Sequence, residues 1–155
     1  MNSPMPLEVA HVSSSTEGQT VSAEQVVWLV GPDDLNVPLT AHLRYDSSDP
    51  YAVRMSFNAG LPKPVEWAFG RDLLAAALHA PEGIGDVRAW PTDGRRPGET
   101  ILNIVLGNLD GYARFETSAA EIELFLTRTY ELVAAGQESD GFDIDAELAE
   151  LLSQA

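Results

Sequence analysis

Residues 39–57 read LTAHLRYDSSDPYAVRMSF, two alternating stretches on either side of a turn. Leu39, Ala41, Leu43 and Tyr45 alternate with Thr40, His42 and Arg44, the period of two that sends one face of a strand into a core. Across the turn, Tyr51, Val53, Met55 and Phe57 take one side while Ala52, Arg54, Ser56 and Asn58 take the other. Asp46, Asp49 and Pro50 suit the turn itself, because short carboxylates bond nearby backbone and the proline ring presets φ. An antiparallel hairpin therefore sits at the centre of the chain.

Working outward, residues 21–30, VSAEQVVWLV, carry apolar side chains on both faces, as a strand covered on two sides would. A turn over residues 31–36 links it to the hairpin. Downstream of Leu61-Pro62-Lys63-Pro64, the residues Val65, Trp67 and Phe69 repeat the alternation, which completes a meander of four strands. From Arg71 the run DLLAAALHA is rich in helix formers and stops at Pro81. Strands resume over residues 86–90, 100–106 and 112–116, separated by the turn-rich PTDGRRPGE and GNLDG.

Ser118, followed three residues later by Glu121, forms a capping box and predicts a helix start. Ile122, Phe125, Leu126, Thr129, Leu132 and Val133 then recur at helical spacing, so one stripe faces inward. After the linker GQESDG, a last helix would align Ile144, Leu148, Leu151 and Leu152. The expected fold is α+β: seven to eight antiparallel strands, one helix in the middle and two C-terminal helices. Residues 1–20, rich in Ser, Thr, Gly and Pro, read as a flexible N-terminal arm in which residues 7–12 have strand character, and residues 21–155 read as a single domain.

The chain has 155 residues, of which 45% are hydrophobic and 21% charged, so it can bury a core. Its formal net charge is −15, which opposes long-range attraction to nucleic-acid phosphates or anionic membranes. The acidity is concentrated: residues 116–155 hold ten acidic side chains and one basic one, Arg128. Cysteine is absent, which rules out disulfides and thiolate chemistry. With no secretory signal pattern at the start and no long apolar run, a cytoplasmic location is expected.

Chemistry-bearing motifs are sparse. His11, His42 and His79 lack the i, i+4 pairing of a metal site. Asp143, Asp145 and Glu147 could face a divalent ion, but without the spacing and glycine of a calcium loop they read as carboxylates at a helix start. Gly83 and Gly85 lie in a turn after a helix, not in a phosphate-binding loop. No catalytic residues, cofactor or metal ligands are expected. Arg88, Arg95 and Arg96 with Trp90 form the one basic and aromatic cluster, the chemistry that grips single-stranded nucleic acids. Against so acidic a background the cluster reads instead as protein interaction, with nearby carboxylates or with a partner.

Ordered blocks of this sequence resemble the SsgA-like family of sporulating actinomycetes. They are VSAE from Val21, RYDSSDPYAVRMSF from Arg44, VEWAFGRDLL from Val65, GDVRAWP from Gly85, FLTRT from Phe125 and FDIDAELAELL from Phe142. The resemblance implies a Whirly-like arrangement of two antiparallel sheets and a homotrimer. It also implies a non-enzymatic adaptor in sporulation-specific cell division, recruited to the septum, that helps position the FtsZ ring together with a membrane-associated partner. The alternative is a single-stranded nucleic-acid-binding protein of the same fold.

Overall fold

The computed structural model describes residues 10–15, 18–57, 65–108, 111–141 and 152. Nine strands are present among them: β1 Ala10–Ser15, β2 Gly18–Val30, β3 Asn36–Asp46, β4 Ala52–Phe57, β5 Val65–Gly70, β6 Glu82–Ile84, β7 Val87–Asp93, β8 Thr100–Asn108 and β9 Gly111–Ser118. The two helices are α1, Arg71–Ala77, and α2, Ala119–Leu132. The four-strand meander follows the alternation, with Ala41, Leu43 and Tyr45 fully buried on β3 and Val53, Met55 and Phe57 buried on β4. The strand character expected at residues 7–12 falls at Ala10–Ser15, which pairs antiparallel with the start of β2. Residues 7–9 and the last helix, apart from Leu152, lie outside the described residues.

The strands form one sheet, not two, in the order β5-β4-β3-β2-β9-β8-β7-β6. The long β2 is the reason. Thr20–Val30 pair with β3 on one side while Val27–Val30 also pair with Arg114–Thr117 of β9 on the other, which fuses the two meanders. The sheet curls into a trough. Phe57 of β4 and Phe115 of β9 stand on strands separated by two others in the order, yet their rings lie 4.9 Å apart. α1 touches β5, β6 and β7 and so spans the two edges, while α2 packs into the trough on β2, β8 and β9.

Ile122, Phe125, Leu126 and Thr129 are the buried side of α2, as the periodicity predicts. The Ser118 hydroxyl accepts a hydrogen bond from the Glu121 amide at 3.3 Å, the N-cap expected from the capping box. Ser118→Ala should therefore lower the unfolding free energy by about 1 kcal/mol, measured by urea titration, with the same m-value.

A buried cation locks the other end of α2. Arg71, at the start of α1, is 1% exposed. Its Nη1 donates to the carbonyls of Val133 (2.7 Å) and Thr129 (3.1 Å) where α2 ends, the latter also accepting from the Val133 amide at 2.9 Å. Nη2 meets the Glu138 carboxylate at 3.1 Å. The guanidinium also lies 4.1 Å from the Tyr130 ring centre and 4.9 Å from that of Tyr45. Residues read from sequence as a plain linker thus contain a 3-10 turn, Glu138–Gly141, whose first residue is buried against this cation. A hydrogen bond from its own backbone amide, followed by that from Arg71, lowers the pKa of Glu138.

Burial, only partly opposed by the Arg71 charge, pushes the Tyr45 phenol up to about 12. Its hydroxyl donates to the Pro50 carbonyl at 3.0 Å. The unfolded phenol ionises near its ordinary 10.0, whereas the folded one stays neutral to about 12. Its contribution is therefore complete below that first value and is lost as pH rises toward the second. Urea midpoints should fall between pH 9 and pH 11, and Tyr45→Phe should show a smaller fall.

Candidate functional site

The convex side of the sheet is the surface the core leaves open. Strand register places Val26 and Trp28 of β2 beside Glu116 and Ser118 of β9, then Ile101, Asn103 and Val105 of β8, then Arg88, Trp90 and Thr92 of β7. Trp28 is 43% exposed and Val26 48%. The apolar residues on both faces of residues 21–30 suggest a strand covered on two sides, and the structure differs at its end, VVWLV. Its inner residue Val27 is fully buried, but its outer residues face solvent, because both helices pack on the concave side. An aromatic and aliphatic surface left open on a described sheet face is the chemistry of an interface core.

Asn103, 1% exposed, holds this face in shape. Its Nδ2 donates to the Trp90 carbonyl (3.2 Å) and the Thr92 hydroxyl (2.9 Å), and its Oδ1 accepts from Arg114 (3.1 Å). The pattern in TILNIVL, with Leu102, Ile104 and Leu106 inward, signals a polar residue opposite the core. That Asn103 would anchor the neighbouring strand is not legible from spacing, since its partners come from β7 and β9.

The cluster of Arg88, Trp90, Arg95 and Arg96 is divided by the fold. Arg88 and Trp90 share the outer face of β7 and line a shallow groove of about 680 Å³ with Ile84 of the edge strand β6. Arg95 and Arg96 sit in the β7–β8 loop, where the Glu99 carboxylate accepts from their backbone amides at 2.9 and 3.4 Å rather than from their guanidiniums. Among the described residues none of these three arginines has an ion pair. Arg44, Arg54, Arg114 and Arg128, by contrast, pair with carboxylates at the surface.

Around the loop a second groove, about 850 Å³, has Val26, Trp28, Leu35 and Ile101 along its floor. Carboxylates of Asp93, Glu99, Glu116 and Glu121 stand on its rim, with Arg95. Glu121 reaches solvent, but burial around its carboxyl raises its pKa. A third, apolar hollow of about 350 Å³ opens at the mouth of the trough between Phe57, Trp67, Tyr112 and Phe115.

The remaining sequence candidates stand apart from these surfaces. His42 faces Glu24 at 3.5 Å across exposed strands, and His79 lies exposed after α1. Asp46 and Asp49 form the hairpin turn as expected, the Asp49 amide donating to the Asp46 carbonyl at 3.0 Å. Asp143, Asp145 and Glu147 lie outside the described residues. No helix among the described residues is long and apolar enough to cross a membrane.

A single curled antiparallel sheet with two helices packed on its concave side, its aromatic outer face left open among the described residues, defines an α+β domain. Comparison with known proteins makes the assignment specific. The chain belongs to the SsgA family: residues 39–138 match the model for the Streptomyces sporulation and cell division protein SsgA. It is 49% identical over 140 residues to the sporulation-specific cell division protein SsgB of Thermobifida fusca, covering 90% of this chain and 99% of the relative. To SsgB of Streptomyces coelicolor it is 44% identical, covering 88% and 98%. A solved structure of the SsgA-like sporulation-specific cell division protein from Thermobifida fusca superimposes with a TM-score of 0.76 at 47% identity, over 88% of this chain and 98% of that one. A structure from work on SsgB mutations and longitudinal cell division in Streptomyces coelicolor also gives 0.76, at 43% identity, covering 83% and 100%.

Proposed function

We propose that this chain is a non-enzymatic adaptor of sporulation-specific cell division that helps position the FtsZ ring during septation. The observation that carries the reading is the open aromatic face of the sheet, on a chain whose relatives bear the name of sporulation-specific cell division proteins. An enzyme would need convergent titratable groups in a closed pocket, whereas this face offers broad apolar area with a charged rim. In this reading the protein is cytoplasmic, assembles as a homotrimer and is brought to the septum with a membrane-associated partner. Arg88 and Trp90 on β7, and Arg95 and Arg96 in the following loop, supply contacts, since none of the three guanidiniums is committed within the described chain.

Single-stranded nucleic acid is the poorer occupant. Stacking surfaces for bases work beside cations that track the phosphates, and here the aromatic face is bordered by Asp93, Glu99, Glu116 and Glu121. Tagged chain recovered from sporulating cells should carry FtsZ with it and co-localise with the rings. Deletion that leaves both sporulation septa and FtsZ positions unchanged would overturn the reading.

A further inference from the structure

We propose that the groove between β2 and the β7–β8 loop receives a cationic protein segment, one carrying a bulky apolar side chain flanked by Lys or Arg. The floor of Val26, Trp28, Leu35 and Ile101 suits the apolar anchor, and at 48%, 43% and 66% exposed the first three are open to it. The rim, four carboxylates against the single guanidinium of Arg95, selects the flanks. Glu99 is engaged by backbone amides and Glu116 by Arg114 at 3.4 Å, but Asp93 and Glu121 have no ion pair among the described residues. Raised by burial in the absence of a cation, the Glu121 carboxyl is a group that an arriving Lys or Arg would relieve.

Charge also decides against a second copy as the occupant. A second copy would bring a net charge of −15 to a rim that already carries four carboxylates, and five of its arginines are tied in ion pairs, so any contact between copies is better made away from this groove. A basic partner is instead drawn in at long range, and the apolar floor then holds it. The inference rests on the adaptor reading and names the kind of partner segment that reading requires.

The probe is a fluorescein-labelled synthetic peptide alternating Lys or Arg with Leu and Trp, titrated into the full chain by anisotropy and by amide chemical shifts. Shifts should centre on Val26, Trp28, Leu35 and Ile101. Asp93→Asn with Glu121→Gln should weaken binding at least about tenfold, while the equal charge change Glu82→Gln with Asp86→Asn, on the β6–β7 hairpin, should weaken it less than about threefold. Equal losses in the two variants, or shifts centred elsewhere, would show mere attraction to an acidic chain and overturn the assignment. So would concentration-dependent shifts of the same four residues without peptide, since a second copy would then fill the groove. Capture of FtsZ from sporulating cells separates the two claims. If the Asp93→Asn and Glu121→Gln chain captures it undiminished, the groove assignment fails alone; if the unaltered chain captures none, the adaptor reading fails whatever the peptide does.

Discussion

Arg71→Met is expected to lower the unfolding free energy by about 3–5 kcal/mol and the thermal midpoint by on the order of 10 °C. One substitution strands several groups at once. The Glu138 carboxylate stays buried without its counter-ion, and the Val133 and Thr129 carbonyls at the end of α2 each lose a hydrogen bond, Thr129 keeping only that from the Val133 amide. The Tyr45 and Tyr130 rings lose the cation between them. Methionine restores much of the volume, so the loss reports the charge and its hydrogen bonds rather than a cavity. Adding Glu138→Gln should recover part of the stability, because the uncompensated charge is then gone, and the double-mutant cycle measures the coupling. Equal and additive losses would mean that the two side chains do not act together.

Phe125→Ala should cost a similar amount, about 3–5 kcal/mol, by urea titration. Phe125 is 1% exposed where α2 fills the trough, beside Ile122 and Leu126. Truncation leaves a void that a curved sheet on one side and a helix on the other cannot collapse. Its neighbour Leu124 is 44% exposed on the opposite side of α2, so Leu124→Ala should cost less than about 1 kcal/mol. A comparable loss at both positions would contradict the placement of α2.

Local chemistry was legible where a period or a cap encodes it. Alternation at Leu39–Tyr45 and Val53–Phe57 identified the hairpin, and Ser118 with Glu121 identified the start of α2. Long-range closure was not legible. That β2 pairs with both β3 and β9, merging two expected sheets into one, depends on which strand finds its edge, and alternation is the same in either case. Trp28 and Val26 were seen as apolar but assigned to a covered face, since periodicity reports hydrophobicity on two sides without saying whether anything covers them. The strand β6 was read as a turn because three residues, two of them Gly83 and Ile84, are too short for a pattern. Arg71 and Glu138 lie 67 positions apart, and nothing in either local sequence marks them as partners.

The arginine cluster shows the same limit at the site. Arg88, Trp90, Arg95 and Arg96 are near one another in sequence, yet pleating and the loop send the first two to one groove and Arg95 to another. Proximity along the chain does not give the outline of a surface.

The central claim is that the open aromatic face of the sheet does the binding, and its most direct measurement is capture of FtsZ from sporulating cells by the unaltered chain and by a Trp28→Ser, Val26→Ser variant. Both positions are exposed, so the variant should keep its thermal midpoint within a few degrees. The account predicts that the unaltered chain captures FtsZ and locates at septa while the folded variant does neither. Undiminished capture by the variant would contradict it.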